Sequence, residues 1–148
     1  MSKIYIKFLA NGKNLYKIEK QTSGSAGFDL MAAIKNDIFI EPSQSSLIPC
    51  GFSLALPSNF EAQVRPRSGL ALKNLITVLN SPGTIDSDYR GEVCVILINH
   101  SKELFKVTSK MRIAQIIFKT LPDVKIIEVD ELDITERGHG GFGSTGNN

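Results

Sequence analysis

The sequence has no tryptophan, only two cysteines and only two histidines. The small numbers of cysteines and histidines limit the disulfide and metal sites that the chain can form. Cys50 and Cys94 are isolated and have no CxxC spacing, and a disulfide between them is the alternative to two free thiols. Each lies in or beside an apolar segment, so we expect buried free thiols and a reducing, cytoplasmic location. His100 and His139 are too few and too isolated for a histidine zinc site.

Long apolar runs and strong net charge are absent as well. The longest apolar run is Val93–Ile98, far short of a membrane span, and the first residues hold no apolar core long enough for a signal peptide. A net charge of +2 without a basic run does not suit a binder of nucleic-acid polymers. We therefore expect neither a membrane nor a nucleic acid as partner. Basic residues stand singly beside Gly, Pro and Ser, which favours a small anionic ligand: Arg67, Arg90, Arg112 and Arg137.

What the chain does contain is a series of short apolar alternations separated by Pro and Gly turns. Its 148 residues, 42% of them apolar, suit one globular domain spanning residues 1–148. SLIPCGFSLALP predicts two strand fragments broken at Pro49–Gly51, and GLALKN predicts a short helical turn. The pattern predicts an all-β sandwich or jelly roll. The other predicted strands are KIYIKFLA, DIFIEP, FEAQVR, LITVL, VCVILIN, LFKVT, RIAQIIF and VKIIEV.

The stretch Asn80–Glu92, NSPGTIDSDYRGE, predicts a hairpin that holds polar groups over a sheet, since apolar strands flank it on both sides. Asp86 follows Ile85 directly, and an ionised side chain at a strand end is expected to be partly desolvated, which costs free energy unless the group is paired or used. The alternative is that DSDYRG is an ordinary solvated turn.

PRSGLALK brings Arg67, Ser68 and the amides of a helical turn together, which is a workable anion site. The alternative is a turn in which Ser68 serves as the N-cap, and the two are compatible. In SAGFDL, Asp29 is a carboxylate near a metal or a cation, or else a buried group that caps a turn. Gln115, inside the apolar RIAQIIF, needs partners and either supports the core or orients a water.

The last segment, residues 130–148, is rich in glycine and lacks a strand pattern. A disordered tail is the default for such a terminus. However, a plain linker has no use for Arg137 and Phe142. Glycine backbone approaches phosphate oxygens closely, Ser144 and Thr145 add hydroxyls, and a lone aromatic can stack on a base. We therefore predict a mobile arm that orders over ligand as a lid.

Taken together, AGFDL, PRSGLALK, GTIDSDYRGEV, RIAQIIF and RGHGGFGSTG resemble, in order and spacing, the five motifs of the homotrimeric dUTP diphosphatases. The resemblance runs from about Ala26 to Gly146. It implies a jelly-roll subunit, a homotrimer with shared sites, and Mg²⁺-dependent hydrolysis of dUTP to dUMP and pyrophosphate. That reaction limits uracil incorporation into DNA and supplies dUMP for thymidylate synthesis. The first, second and fourth motifs would come from one subunit, the hairpin from a second, and the 130–148 arm from a third.

The resemblance also implies residue roles. Asp86 would activate the attacking water, Tyr89 would pack on the sugar and exclude a 2′-hydroxyl, and Asp29 would hold Mg²⁺ through waters. Uracil would be read by the Asn80 amide and the hairpin backbone at Gly83, Thr84 and Ile85. Phosphate contacts would come from Arg67, Ser68, Gly69 and Gln115, with Arg112 at a phosphate or between subunits. From the arm would come Arg137 on the γ-phosphate, Phe142 on uracil, and Gly143, Ser144 and Thr145 near phosphates.

Two positions depart from the family pattern, and two other functions remain open. His139 stands where an acidic residue is common, and SKMR precedes IAQ where a Gly-acidic turn is usual. Asp88 and Arg90 receive no role. A dCTP deaminase on the same fold would need a glutamate base facing the cytosine amine, and ammonia release from dCTP distinguishes it. A non-enzymatic trimeric β protein that binds a nucleotide or a partner is the third possibility.

Overall fold

Short strands dominate the structure, as the apolar alternations predicted. The computed structural model describes residues 2–141. Within them lie ten strands and one helix. In chain order they are β1 Tyr5–Phe8, β2 Phe28–Met31, β3 Ile38–Ile40, β4 Ser45–Ala55, β5 Phe60–Arg65, α1 Ser68–Asn74, β6 Ile76–Val78, β7 Gly83–Ile85, β8 Glu92–Asn99, β9 Phe105–Val107 and β10 Arg112–Thr120. No helix of this part of the chain is long and apolar enough to cross a bilayer.

The strands form two four-stranded sheets and one two-stranded sheet. The first has the order β1-β4-β8-β6, the second β2-β10-β5-β7, and the third pairs β3 with β9. Every pairing is antiparallel. Non-consecutive strands are neighbours throughout, so long connections pass from one sheet to the other. The predicted all-β jelly roll is confirmed.

The core contains aliphatic side chains from both four-stranded sheets. In β8, Val93, Val95 and Leu97 are buried on one face, while the alternate residues are half-buried. The second sheet contributes Leu30 and Ile116, which are fully buried. The period of two that predicted these strands is therefore the period with which they bury their apolar face.

Two strand predictions are wrong in detail. SLIPCGFSLALP forms one strand, β4, rather than two fragments. The expected break is instead a register shift between Pro49 and Ser53 in the pairing with β8, and Gly51 there has a φ of 77°. Glycine reaches this conformation without a Cβ clash, so the chain bulges and continues.

VKIIEV, residues 124–129, was predicted as a strand but is not one in this chain. Its apolar side chains project into solvent, with Val124 71% and Ile126 94% exposed. A strand exists only where another strand accepts its hydrogen bonds. The sheets given above do not include this segment, so its β propensity stays unmet within residues 2–141.

Candidate active site

The segment Asn80–Glu92 is not a simple hairpin. β6 and β8 do pair, with Val78 opposite Leu97, as the flanking apolar runs predicted. Between them the chain crosses to the second sheet, where β7 pairs with the end of β5 and Thr84 lies opposite Gln63. Three residues of β7 are too short for a period of two to stand out, so the sequence did not reveal this strand.

Residues of both sheets line an open cavity of about 200 Å³ at this crossing. Its apolar wall includes Leu47, Val64 and Ile96. Its polar rim consists of Asn80, Asp86, Tyr89 and Glu92, together with the backbone of Gly83, Thr84 and Ile85. The predicted base and sugar residues are thus brought together in one cavity.

The backbone of β7 is positioned to read a planar ligand edge. β7 is the last strand of its sheet, so one side of its N–H and C=O groups has no strand partner in the described chain. The Asn80 amide nitrogen lies over Gly83, 3.2 Å from where a Cβ would stand. An amide side chain and a free strand edge can together donate and accept hydrogen bonds in one plane.

Asp86 lies at the rim of the cavity and is exposed, which contradicts the expectation of a partly desolvated carboxylate. The physical reason is its place just after β7, at the edge of the sheet, where no described element covers it. Tyr89 is 46% exposed and donates a hydrogen bond from its hydroxyl to the Glu92 carbonyl, at 3.1 Å.

Glu92 and Arg90 make contacts that the sequence did not indicate. The Glu92 carboxylate accepts hydrogen bonds from the Gly51 amide at 2.8 Å and from Asn11 Nδ2 at 2.7 Å. Arg90 donates to the Ser87 and Tyr89 carbonyls, so it braces the turn rather than reaching the cavity rim. For Glu92 the only available signal was a carboxylate directly before an apolar strand.

Cys94 also lines the cavity and is half-buried, whereas Cys50 is fully buried. Both thiols are free, but the prediction that both are buried is wrong for Cys94. Burial, and secondarily the Glu92 charge, raises the pKa of the Cys94 thiol. Burial likewise raises the pKa of Cys50. Both thiols are therefore protonated at neutral pH, and Cys94 forms part of the cavity wall rather than serving as a nucleophile.

A second polar group lies around Asp29 in β2. The Asp29 side chain is 13% exposed and stands between two guanidinium groups, 3.3 Å from Arg67 Nε and 3.4 Å from Arg112 Nη1. Arg67 also donates to the Arg112 carbonyl, and Gln115 Nε2 donates to the Pro66 carbonyl at 3.0 Å. Of the two readings of Asp29, the structure supports the carboxylate beside a cation. We call Asp29, Arg67, Arg112 and Gln115 the Asp29 cluster.

Ser68 and Gly69 begin α1 beside this cluster and are exposed. Ser68 is not the N-cap, as one alternative held, because Arg67 occupies that position and makes no side-chain capping bond. The Ser68 hydroxyl is therefore not committed to the helix end. The first amides of a helix have no intrahelical acceptor, so this turn presents N–H donors near two arginines.

The structure gives no ready-made metal site. Among residues 2–141, no group of three or more His, Cys, Asp or Glu side chains lies close enough to hold a metal ion. Mg²⁺ is commonly held by one or two carboxylates together with substrate phosphates and waters. Asp29 is a carboxylate of the kind used in that mode, but each of its oxygens is paired with a guanidinium group, so an ion would have to contact it through waters.

Asp86 and Asp29 lie far apart within one chain. β2 and β7 are opposite edges of one sheet, separated by three strand spacings, or about 14 Å. Asp29, Gln115 and Arg65 share one row across that sheet, and Asp86 lies about four residues farther along it, or roughly 14 Å. Asp29 and Asp86 are therefore on the order of 20 Å apart.

The arm is described only as far as Gly141. Arg137 is exposed, and its Nε donates to the Gly140 carbonyl at 2.9 Å. His139 is exposed as well. The predicted roles of Phe142, Gly143, Ser144 and Thr145 fall on positions outside the described residues.

Comparisons with known proteins bear on the family and the fold. A deoxyuridine 5'-triphosphate nucleotidohydrolase of Rhizobium rhizogenes is 53% identical over 140 residues, covering 93% of this chain and 90% of the relative. A mutant dUTPase of Staphylococcus bacteriophage 80alpha, solved with dUpNHpp, shares the fold at a TM-score of 0.86, with 22% identity and 99% of each chain covered. A mutant dUTPase of phage phi11 of S. aureus, described with a structural Mg(II) ion, has a TM-score of 0.78 at 16% identity, covering 89% of this chain and 99% of that one.

A protein-family model described as dUTPase matches residues 13–146, which include both the cavity and the Asp29 cluster. This match spans most of the sequence. The sequence identity of 53% to the Rhizobium relative is also high enough to establish family membership. The chain belongs to the dUTPase family.

Proposed function

We propose that the protein is a dUTP diphosphatase, which hydrolyses dUTP to dUMP and pyrophosphate with Mg²⁺. The observation that carries the proposal is the cavity under β7, where an amide, a free strand edge, a tyrosine and a carboxylate meet in a member of the dUTPase family. Each of these groups matches one part of a deoxyuridine nucleotide. The relatives named deoxyuridine triphosphate nucleotidohydrolase support the same reaction.

The base is proposed to enter the cavity between Leu47 and β7. There the Asn80 amide and the backbone of Gly83 and Ile85 would read the uracil edge. Specificity against thymine would rest on exclusion, through a clash between the Asn80–Glu92 segment and the thymine methyl. Attractive contact with one methyl group is worth only ~1–3 kcal/mol, so a clash discriminates better than an attraction.

Tyr89 is proposed to cover the sugar, and Asp86 to hold the attacking water. The water would attack the α-phosphorus in line while Asp86 accepts its proton. The bond from the α-phosphorus to the oxygen that bridges to the β-phosphate then breaks, and pyrophosphate leaves. Phosphoryl transfer depends mainly on positioning and charge stabilisation, which is the chemistry these groups supply.

The triphosphate is proposed to lie against the Asp29 cluster. Arg67, Ser68, Gln115 and the first amides of α1, including that of Gly69, would contact phosphate oxygens. Asp29 would hold Mg²⁺ through waters, and the bound ion supplies neutralisation of the triphosphate charge. The arm, residues 130–148, would close over the nucleotide through Arg137 on the γ-phosphate and Phe142 on uracil. Gly143, Ser144 and Thr145 would add phosphate contacts.

We further propose a homotrimer in which each site combines several subunits. A carboxylate that activates water must lie within about 3 Å of it, yet Asp86 is on the order of 20 Å from Asp29 of the same chain. One triphosphate cannot meet both, so the Asp29 cluster of another copy would complete the site. The exposed apolar side chains of residues 124–129 also suit burial against another copy.

The test is to mix the protein with Mg²⁺ and dUTP, dTTP, dCTP or UTP in turn and to measure pyrophosphate. We expect release from dUTP alone at an appreciable rate. Ammonia release from dCTP would identify a deaminase instead, and absence of both products would favour a protein that only binds nucleotide. Light scattering of the same sample should give the mass of three chains.

A further inference from the structure

The Tyr89 side chain folds back so that its tip lies directly over Gly91. A Cβ built at Gly91 would overlap the Tyr89 hydroxyl and Cζ, and would lie 2.9 Å from Cε2. Cβ atoms essentially never approach other heavy atoms so closely. We propose that Gly91 is a positioning residue for sugar selection, because its missing side chain is the space in which Tyr89 is held. This inference rests on the proposed role of Tyr89 in excluding a 2′-hydroxyl.

The backbone at this position does not itself require glycine. Among the described glycines, only Gly51 and Gly138 have a φ in the left-handed region. Alanine is therefore compatible with the backbone conformation at Gly91, and the atoms that its Cβ would overlap belong to Tyr89. Gly12 is a contrasting case, because a Cβ there would strike the backbone of Gly51, which cannot swing away.

The Tyr89 ring is free to rotate, whereas the Glu92 carbonyl that accepts its hydrogen bond belongs to β8. The ring is 46% exposed, and within residues 2–141 its hydroxyl makes one hydrogen bond, to the Glu92 carbonyl. Glu92 is fixed in turn, because its carboxylate accepts from the Gly51 amide and from Asn11. A methyl group at Gly91 would therefore turn the ring toward solvent and break the hydroxyl bond, while the strand that carries the acceptor stays in place.

The experiment is the substitution Gly91→Ala in the full-length protein with Mg²⁺, and the readout is the ratio of kcat/KM for dUTP to kcat/KM for UTP. We expect this ratio to fall at least tenfold. We expect kcat for dUTP to change less than KM, because Asp86 stays at the end of β7. Gly24→Ala is the matched control, since a Cβ there meets nothing within 4 Å, and its ratio should equal that of the unaltered protein.

Tyr89→Ala and the double variant separate this inference from the proposed function. If Tyr89→Ala leaves the ratio unchanged, the proposed role of Tyr89 is wrong and the inference fails with it. If Tyr89→Ala lowers the ratio and Gly91→Ala does not, only the inference is overturned. In the Tyr89→Ala background, Gly91→Ala should change the ratio less than about twofold, because no ring remains to be displaced. An equal effect in both backgrounds also overturns the inference.

Folding provides a second readout. Should Gly91→Ala fail to fold, the steric explanation predicts that the double variant with Tyr89→Ala regains the fold. A double variant that also fails to fold would contradict it, since the clash with the ring is then not the cause.

Discussion

Two inactive variants should restore activity to each other when they assemble together. We consider Asp86→Asn, which alters the cavity rim, and Arg67→Ala, which alters the Asp29 cluster. Each variant alone should lose at least ~10²-fold in turnover, the scale of a lost catalytic group. Because Asp86 and Asp29 of one chain are on the order of 20 Å apart, the two substitutions would damage different halves of the proposed shared site.

The expected recovery follows from the symmetry of the trimer. In the proposed trimer, each site would take its cavity from one subunit and its Asp29 cluster from another, in a fixed rotational order. A trimer that contains both variants then has one site in which both halves are intact, so purified mixed trimers should show about one third of the unaltered turnover. The assay is co-expression with two affinity tags, sequential purification, and pyrophosphate release from dUTP.

The control mixes Arg67→Ala with Asp29→Ala. Both substitutions fall in the Asp29 cluster, so every site in such a trimer keeps one damaged half and no activity should return. Mixed Asp86→Asn and Arg67→Ala trimers that stay at the level of their parents would refute the shared site. Recovery in the control would refute the assignment of Asp29 and Arg67 to one half.

Four further outcomes are expected. Asp86→Asn should retain dUTP binding in calorimetry while turnover falls at least ~10²-fold, and near-normal turnover would remove Asp86 from its role. Truncation after Glu136 should leave an oligomer of unchanged mass by light scattering with little hydrolysis, whereas full activity would make the arm a mere linker. Asn99 is fully buried, and its Nδ2 donates hydrogen bonds to the Ile40 and Glu103 carbonyls. Asn99→Asp should therefore lower the free energy of unfolding by about 3 kcal/mol, measured by urea unfolding at fixed protein concentration. The control Asn59→Asp, at an exposed position, should lower it by less than ~0.5 kcal/mol. Leu75, at the C-terminus of α1, has a φ of 55°, a left-handed conformation that costs less for glycine. Leu75→Gly should therefore raise the free energy of unfolding by about 0.5–1 kcal/mol. A decrease would mean that the contacts of the half-exposed leucine side chain contribute more than the relief of strain.

The secondary structure was largely readable from the sequence. Side-chain alternation is a local property, and it identified strands such as β8 and β10 because each buries the face that the alternation marks. Pro66 and Gly69 bounded the end of β5 and the beginning of α1 for equally local reasons. Prediction was wrong where the outcome depends on a partner, as for residues 124–129, whose pattern is strand-like but which pair with nothing in the described chain.

The candidate site was readable only in part. The order and spacing of the motifs identified the family and named Asp86, Tyr89 and Asn80, which the structure does bring into one cavity. Glu92 and Cys94 were missed as cavity residues, because nothing in a run such as GEVCV distinguishes a side chain that lines a cavity from one in a sheet. The exposure of Asp86 was mispredicted, since it depends on whether a neighbouring strand covers the end of β7.

The strand pattern, the family and the chemical character of each motif follow from the amino-acid sequence, because they depend on residue types at short spacing. Three features depend on the folded chain: β7 joins the second sheet, Asp29 lies far from Asp86, and Tyr89 rests over Gly91. Strand order and register bring residues together across long stretches of chain, and local patterns do not encode distances of that kind. The segment Asn80–Glu92 illustrates both kinds of information. Its residue types indicate a nucleotide site, and its path from one sheet to the other forms the cavity.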